Sequence, residues 1–211
     1  MPKVSQQYRD ARRDQILSAA RRCFLRDGFH VTSMQDLFAE SGLSSGAVYR
    51  YFGSKDEVIV AIAEDNMREV LAMIHEVATQ DPGRSVGEVV AAVLTLVQAR
   101  DAADGMGGMA VLVWAEALRN PSLAGQLRDL LTRMHGDLAR LVADHQKAGR
   151  LPDEVAAGAI ARTLVSTMAG YILQLTILGP DAVGGVPDAV RALWPPVRPL
   201  RSEPSGRTAR T

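Results

Sequence analysis

The sequence has little of what would suggest a secreted, membrane-bound or metal-dependent protein. It contains one cysteine, Cys23, so no internal disulfide can form, and the expected role of that residue is a buried core side chain. The opening stretch MPKVSQQYRD has no apolar h-region, which excludes a signal peptide as the reading of these residues. The most apolar run, LVSTMAGYILQLTIL at 164–178, is short and interrupted by polar groups, so no membrane span is expected and the protein is placed in the cytoplasm. Alternating β-branched residues and Asn-Gly turns are nearly absent, and no internal repeat is visible. His30, His75, His135 and His145 lack the spacing of a metal site. The glycine-rich DGMGGM at 104–109 lacks the Gly-Lys-Ser/Thr ending of a phosphate loop, and no G-x-S-x-G occurs. No catalytic set, metal or cofactor is expected, and an enzyme is the weakest functional reading.

Net charge is also lacking: 24 basic residues balance 24 acidic ones. The distribution is uneven. Residues 1–55 carry nine Lys/Arg against five Asp/Glu, residues 56–194 carry eleven against eighteen, and the remainder carries four against one. A basic front on an acidic body directs one end of the molecule toward a polyanion.

What the sequence does have is helical spacing throughout its 211 residues, 47% of them hydrophobic. Ile16, Leu17, Ala20, Cys23 and Phe24 form a stripe that ends near Gly28. Thr32 with Gln35 reads as a capping box for a short helix carrying Met34, Leu37 and Phe38 to Gly42. Ser44 caps a second short helix over 45–51, and Ser54 with Glu57 opens a long one to about 78. QDPGRS at 80–85 interrupts the pattern. Helices are then expected at 85–100, 106–119, from Asn120-Pro121 to about Gly149, 153–178 and 186–194. The fold class is all-α. The chain divides into an arm at 1–9, a head at 10–55, a body at 56–194, and a basic tail at 195–211 expected to be disordered.

The stretch GLSSGAVYRYFGSKDEVI, residues 42–59, carries the functional signal. Helix, glycine turn and short helix make a helix-turn-helix, whose second helix enters the DNA major groove with its first residues at base edges. Ser45, Gly46 and Ala47 permit close approach, Val48 and Phe52 face the scaffold, and Tyr49, Arg50 and Tyr51 face DNA. At Ser54-Lys55 free backbone N–H groups and an ammonium combine into a phosphate site.

These residues resemble the DNA-binding domain of the TetR/AcrR family of bacterial transcriptional regulators. The likeness runs from 10 to 60 through DGF, TSMQDLFAESGLS, GAVYRYF and SKDE. It implies Thr32, Ser33, Tyr49, Tyr51 and Lys55 as phosphate contacts, with Ser45, Gly46, Ala47 and Arg50 as the base-reading surface behind the Ser44 cap. It also implies a homodimer on double-stranded operator DNA and a small-molecule effector in the body. The expected effector is apolar or amphipathic, against Met67, Leu71, Met109, Trp114, Met134, Tyr171 and Gln174, with methionines suited to irregular apolar shapes. Glu64 and Glu116 are more simply read as solvated surface. A ligand-responsive repressor is the leading expectation, and a DNA-binding structural protein without an effector is the alternative.

Overall fold

A computed structural model of the chain describes residues 6–81 and 84–194; the expected disordered tail lies outside the described residues, as does the first half of the expected arm. Ten helices and no strands are present among the described residues. Helix α1 spans Gln6–Asp27, α2 Met34–Ser41, α3 Ser45–Tyr49 and α4 Lys55–Gln80. The body follows with α5 Val86–Asp104, α6 Met106–Ala117, α7 Pro121–Lys147, α8 Ala157–Leu178, α9 Pro180–Val183 and α10 Val186–Leu193. Residues 6–9 of the expected arm are the first turn of α1.

Local chemistry explains most helix starts. Ser44 accepts from the Ala47 N–H, Ser54 from the Glu57 N–H and Asn120 from the Leu123 N–H, with Pro121 at the first helical position. The cap of α2 is Ser33 rather than Thr32. Ser33 and Asp36 form the reciprocal box, while the Thr32 hydroxyl turns inward to the Gly28 carbonyl at 2.8 Å. Ser33, with an extended backbone, leads directly into Met34, so the pairing is shifted by one residue. The box expected at Ser54 is completed differently: Glu57 accepts from the Gly53 N–H at 2.7 Å. Helix α8 begins at Ala157, not 153, and has no side-chain cap.

Two apolar cores meet along α4. Ile16, Leu17, Ala20, Cys23 and Phe24 of α1, Leu37 of α2, Val48 of α3 and Ile59 and Ile62 of α4 form the first. It extends to Met109 and Val113 of α6 and to Leu123 and Leu127 of α7. Phe24 is fully buried, edge-to-face on Phe29 at 4.6 Å between ring centroids, and such burial stabilises by about 1.5–3 kcal/mol. The second core gathers Ile74 and Val77 of α4, Val93, Leu94 and Val97 of α5, and Met168, Tyr171 and Leu175 of α8. Contact with both cores makes α4, about 39 Å long at 1.5 Å per residue, the rod between head and body.

Gly42 is the one position in the helix-turn-helix where the backbone requires a glycine. Its φ of 66° is left-handed, and its N–H reaches the Ala39 and Phe38 carbonyls, closing α2 and redirecting the chain into α3. At the far end, a Cβ on Gly87 would lie 2.5 Å from the Trp194 carbonyl, so only glycine lets α10 lie against α5.

Helix α8 is long and apolar enough to cross a membrane by length and composition alone, a test that a packed helix of a helical bundle also passes. Here it packs along α7 and α6. Only a third of its most apolar stretch is buried, which leaves an apolar face uncovered.

Candidate nucleic-acid interface and ligand cavity

Helix α3 is held from behind and open in front. Val48 is fully buried and Phe52 nearly so, both in the first core. Ser45, Gly46, Tyr49 and Arg50 are exposed, and Ala47 is half-buried. A Cβ on Gly46 would meet nothing within 4 Å, so this stretch presents bare backbone to whatever approaches. Arg50 folds back to donate from Nε to the Gly46 carbonyl at 3.3 Å, leaving the rest of the guanidinium at the surface. Tyr49 packs edge-to-face on Phe38 at 5.4 Å while half of it remains exposed. Tyr51 is half-buried against the head core.

The flanking residues differ from the expectation in detail. Thr32 is buried and its hydroxyl is satisfied internally, so its side chain offers nothing at the surface. Ser33 is exposed, but its hydroxyl donates to Asp36 at 2.6 Å and its N–H donates to the same carboxylate at 2.7 Å. These bonds hold the Asp36 carboxyl below its usual range, so a negative charge occupies the start of α2. The Lys55 ammonium donates to the Thr32 carbonyl at 2.9 Å and to the Phe29 carbonyl. Its charge is anchored to the backbone and is not a loose surface cation. Near the end of α2, Glu40 is held below its ordinary range by Arg22 and then Arg26.

The body contains a cavity of about 490 Å³ bordered by α4, α6, α7 and α8 and open to the surface beside Arg162 and Ser166, both exposed. Met67 and Leu71 of α4, Trp114 of α6 and Met134 of α7 line it, as expected from the sequence. Three other expected residues do not. Met109 is fully buried in the core beneath the head, because its side of α6 faces α1 and α4. Tyr171 is buried in the second core, where its hydroxyl donates to Gln98 at 3.1 Å and burial raises its pKa. Gln174 is exposed on the outer face of α8. Helical phase decides this: Arg162, Val165, Ser166, Met168, Ala169 and Ile172 are the α8 residues that reach the cavity.

The polar part of the wall was missed by sequence reasoning. Asn66, His135, Arg162 and Ser166 line it, and no aspartate or glutamate does. Glu116 instead pairs with His30 at 3.2 Å and Glu64 with Arg133 at 3.9 Å. A lone asparagine inside the long apolar pattern of 58–78 is the one signal that could have pointed to Asn66. Among the described residues no cluster of His, Cys, Asp or Glu could hold a metal ion.

Comparison with known proteins gives concordant results. Residues 16–62 match the family model described as bacterial regulatory proteins, tetR family. Residues 88–193 match that of the BetI-type transcriptional repressor, C-terminal. The HTH-type transcriptional regulator UidR of Escherichia coli K12 is 28% identical over 163 residues, covering 77% of this chain and 81% of its own. The HTH-type nicotine-responsive transcriptional repressor HdnoR of Paenarthrobacter nicotinovorans is 30% identical over 176 residues, covering 77% and 82%. The solved structure of Salmonella enterica GusR aligns with a TM-score of 0.74 and 25% identity, over 90% of this chain and 96% of that one.

Proposed function

The chain belongs to the TetR family and is a DNA-binding transcriptional regulator, not an enzyme, and on that basis we propose that it is a dimeric, effector-released repressor. Regulators of this family bind operator DNA, act as dimers and bind small-molecule effectors. For this chain, residues 10–55 form the DNA-reading head and 56–194 the ligand-binding and dimerising body, acting in the cytoplasm. Ser45, Gly46, Ala47 and Arg50 read base edges, while Ser33, Tyr49, Tyr51 and the Lys55 region lie toward phosphates. Two copies place their α3 helices in successive major grooves, about 34 Å apart on a near-palindromic site.

The dimer is built on α8. Ala159, Thr163, Ser166, Gly170, Leu173 and Ile177 recur at alternating steps of four and three, which keeps one seam aligned along a helix. Ala159, Thr163, Ser166, Leu173 and Ile177 are exposed in the single chain. Small residues at one end permit close helix approach, and a second copy covers the same seam by twofold symmetry.

One observation carries the switch. Helix α4 starts at Lys55, the next helix after the DNA-reading one, and its middle turns, Met67 and Leu71, are cavity wall. An apolar ligand pressing on those turns moves the rod that positions the head. The coupling is reciprocal, so an effector that weakens operator binding is itself bound more weakly by the operator complex, by the same factor. The test is to select a duplex from a random library, then titrate candidate effectors with and without it. A ligand of equal affinity in both arms would separate the cavity from regulation.

A further inference from the structure

Asn66 occupies an unusual position on α4. It is 7% exposed, it lines the cavity, and it is one of four polar side chains in an otherwise apolar wall. Its Oδ1 accepts from the Arg21 guanidinium at 2.6 Å, a bond that crosses from the body to α1 of the head. Because arginine can only donate, this bond fixes the orientation of the amide: oxygen toward Arg21, nitrogen away from it. The buried Nδ2 has no hydrogen-bond partner among the described residues. An unmatched buried donor is costly, and buried polar groups in proteins are nearly always satisfied.

The charge of the wall indicates what would satisfy it. Arg162 makes no ion pair among the described residues, His135 is the other ionisable group, and no carboxylate is present. The wall can therefore complement an anion and has no counter-charge for a cation.

Resting on the reading of this cavity as the effector site, we propose that the effector is an apolar carboxylate, and that Asn66 Nδ2 donates to one of its oxygens while Oδ1 holds Arg21. The side chain then acts as a two-ended link. Its ligand-facing end is a specificity determinant and its head-facing end a positioning contact. Arg13, which meets Asp65 at 3.1 Å on the same stretch of α4, gives α1 a second attachment beside it. A shift of Asn66 toward the ligand thus loads the joint between α1 and α4 directly.

The test uses one apolar skeleton with three ends: biphenyl, biphenyl-4-carboxylate and 4-(aminomethyl)biphenyl. Binding is read by Trp114 fluorescence in a Trp194→Phe background and by displacement from the library-selected duplex. The carboxylate should bind wild type most tightly and release DNA. Asn66→Asp keeps an acceptor for Arg21 but replaces the donor by a second acceptor. It should weaken the carboxylate by about tenfold or more, as for one hydrogen bond to a charged group, strengthen the ammonium compound, and leave biphenyl unchanged. Should the aspartate variant not fold, Asn66→Ala must show the same selective loss of the carboxylate. Arg21→Met should keep carboxylate affinity yet lose most of the ligand's effect on DNA, a separation that a purely structural asparagine would not give. If the carboxylate binds wild type and both Asn66 variants alike, the inference fails while the effector cavity stands. If none of the three compounds binds, the cavity reading falls and the inference with it.

Discussion

The Lys55 ammonium donates to the Thr32 carbonyl at 2.9 Å, tying the start of α4 to the turn before α2. With its second bond to the Phe29 carbonyl, this lysine closes the head from its underside. Hydrogen bonds to charged groups contribute about 1.5–3 kcal/mol each. Lys55→Ala is therefore expected to destabilise the head by about that much in a denaturant melt, besides weakening DNA binding. Binding lost with no change in the unfolding midpoint would assign Lys55 to phosphate alone.

Arg50 and Gly46 share one exposed surface but differ in what they offer. Arg50→Ala should change which bases are preferred in sites selected from random DNA, because base-edge contacts carry sequence information. Gly46→Ala has the space it needs and should stabilise α3 by about 0.5–1 kcal/mol, while hindering close approach to the groove. Selected sites identical to wild type for Arg50→Ala would move the reading surface elsewhere.

The proposed dimer rests on the α8 seam. Ala159→Arg and Thr163→Arg each place a guanidinium at an exposed position of that seam. Both variants should sediment as folded monomers at micromolar concentration and lose operator binding. A monomeric wild type under the same conditions would remove α8 as the interface.

Gly87 admits the backbone of α10 to α5 so closely that any Cβ collides with it. Gly87→Ala is expected to destabilise the body by about 1–3 kcal/mol, the usual cost of overpacking. The measurement is the calorimetric melt, with α2 and α3 unaffected by hydrogen exchange at low temperature. An unchanged melting temperature would mean α10 detaches at no cost.

Stability should fall on both sides of neutrality, for different groups. Burial, then Arg150, lowers the His145 pKa from its ordinary 6.5, and Arg150 Nε donates to its Nδ1 at 3.1 Å. The unfolded chain binds that proton more readily, so its contribution is present above 6.5 and is lost as pH falls toward the depressed folded value. Tyr171, raised by burial from 10.0, behaves oppositely: its contribution is lost as pH rises from 10.0 through the folded value. His145→Gln should flatten the acid arm of a melting-temperature profile and Tyr171→Phe the alkaline arm. Profiles parallel to wild type would mean that neither group is coupled to folding.

The sequence by itself determined the features set by neighbours along the chain. Ser44, Ser54 and Asn120-Pro121 were legible as helix starts because a cap bonds to N–H groups two or three residues on. The helix-turn-helix was legible for a similar reason, since Gly42, Val48 and Phe52 fix the turn and the anchored face within eleven residues. One local ambiguity, Thr32 against Ser33, escaped because two hydroxyls and two possible partners lie within five residues. Only the tertiary structure decided how the long helices are rotated against one another. That rotation put Met109 and Tyr171 into cores and Gln174 outside, since a step of one residue turns a helix by about 100°. It also brought Asn66 to Arg21 across 45 residues, and Lys55 to Thr32 across 23. Contacts of that separation depend on packing between helices, and local spacing carries no record of them.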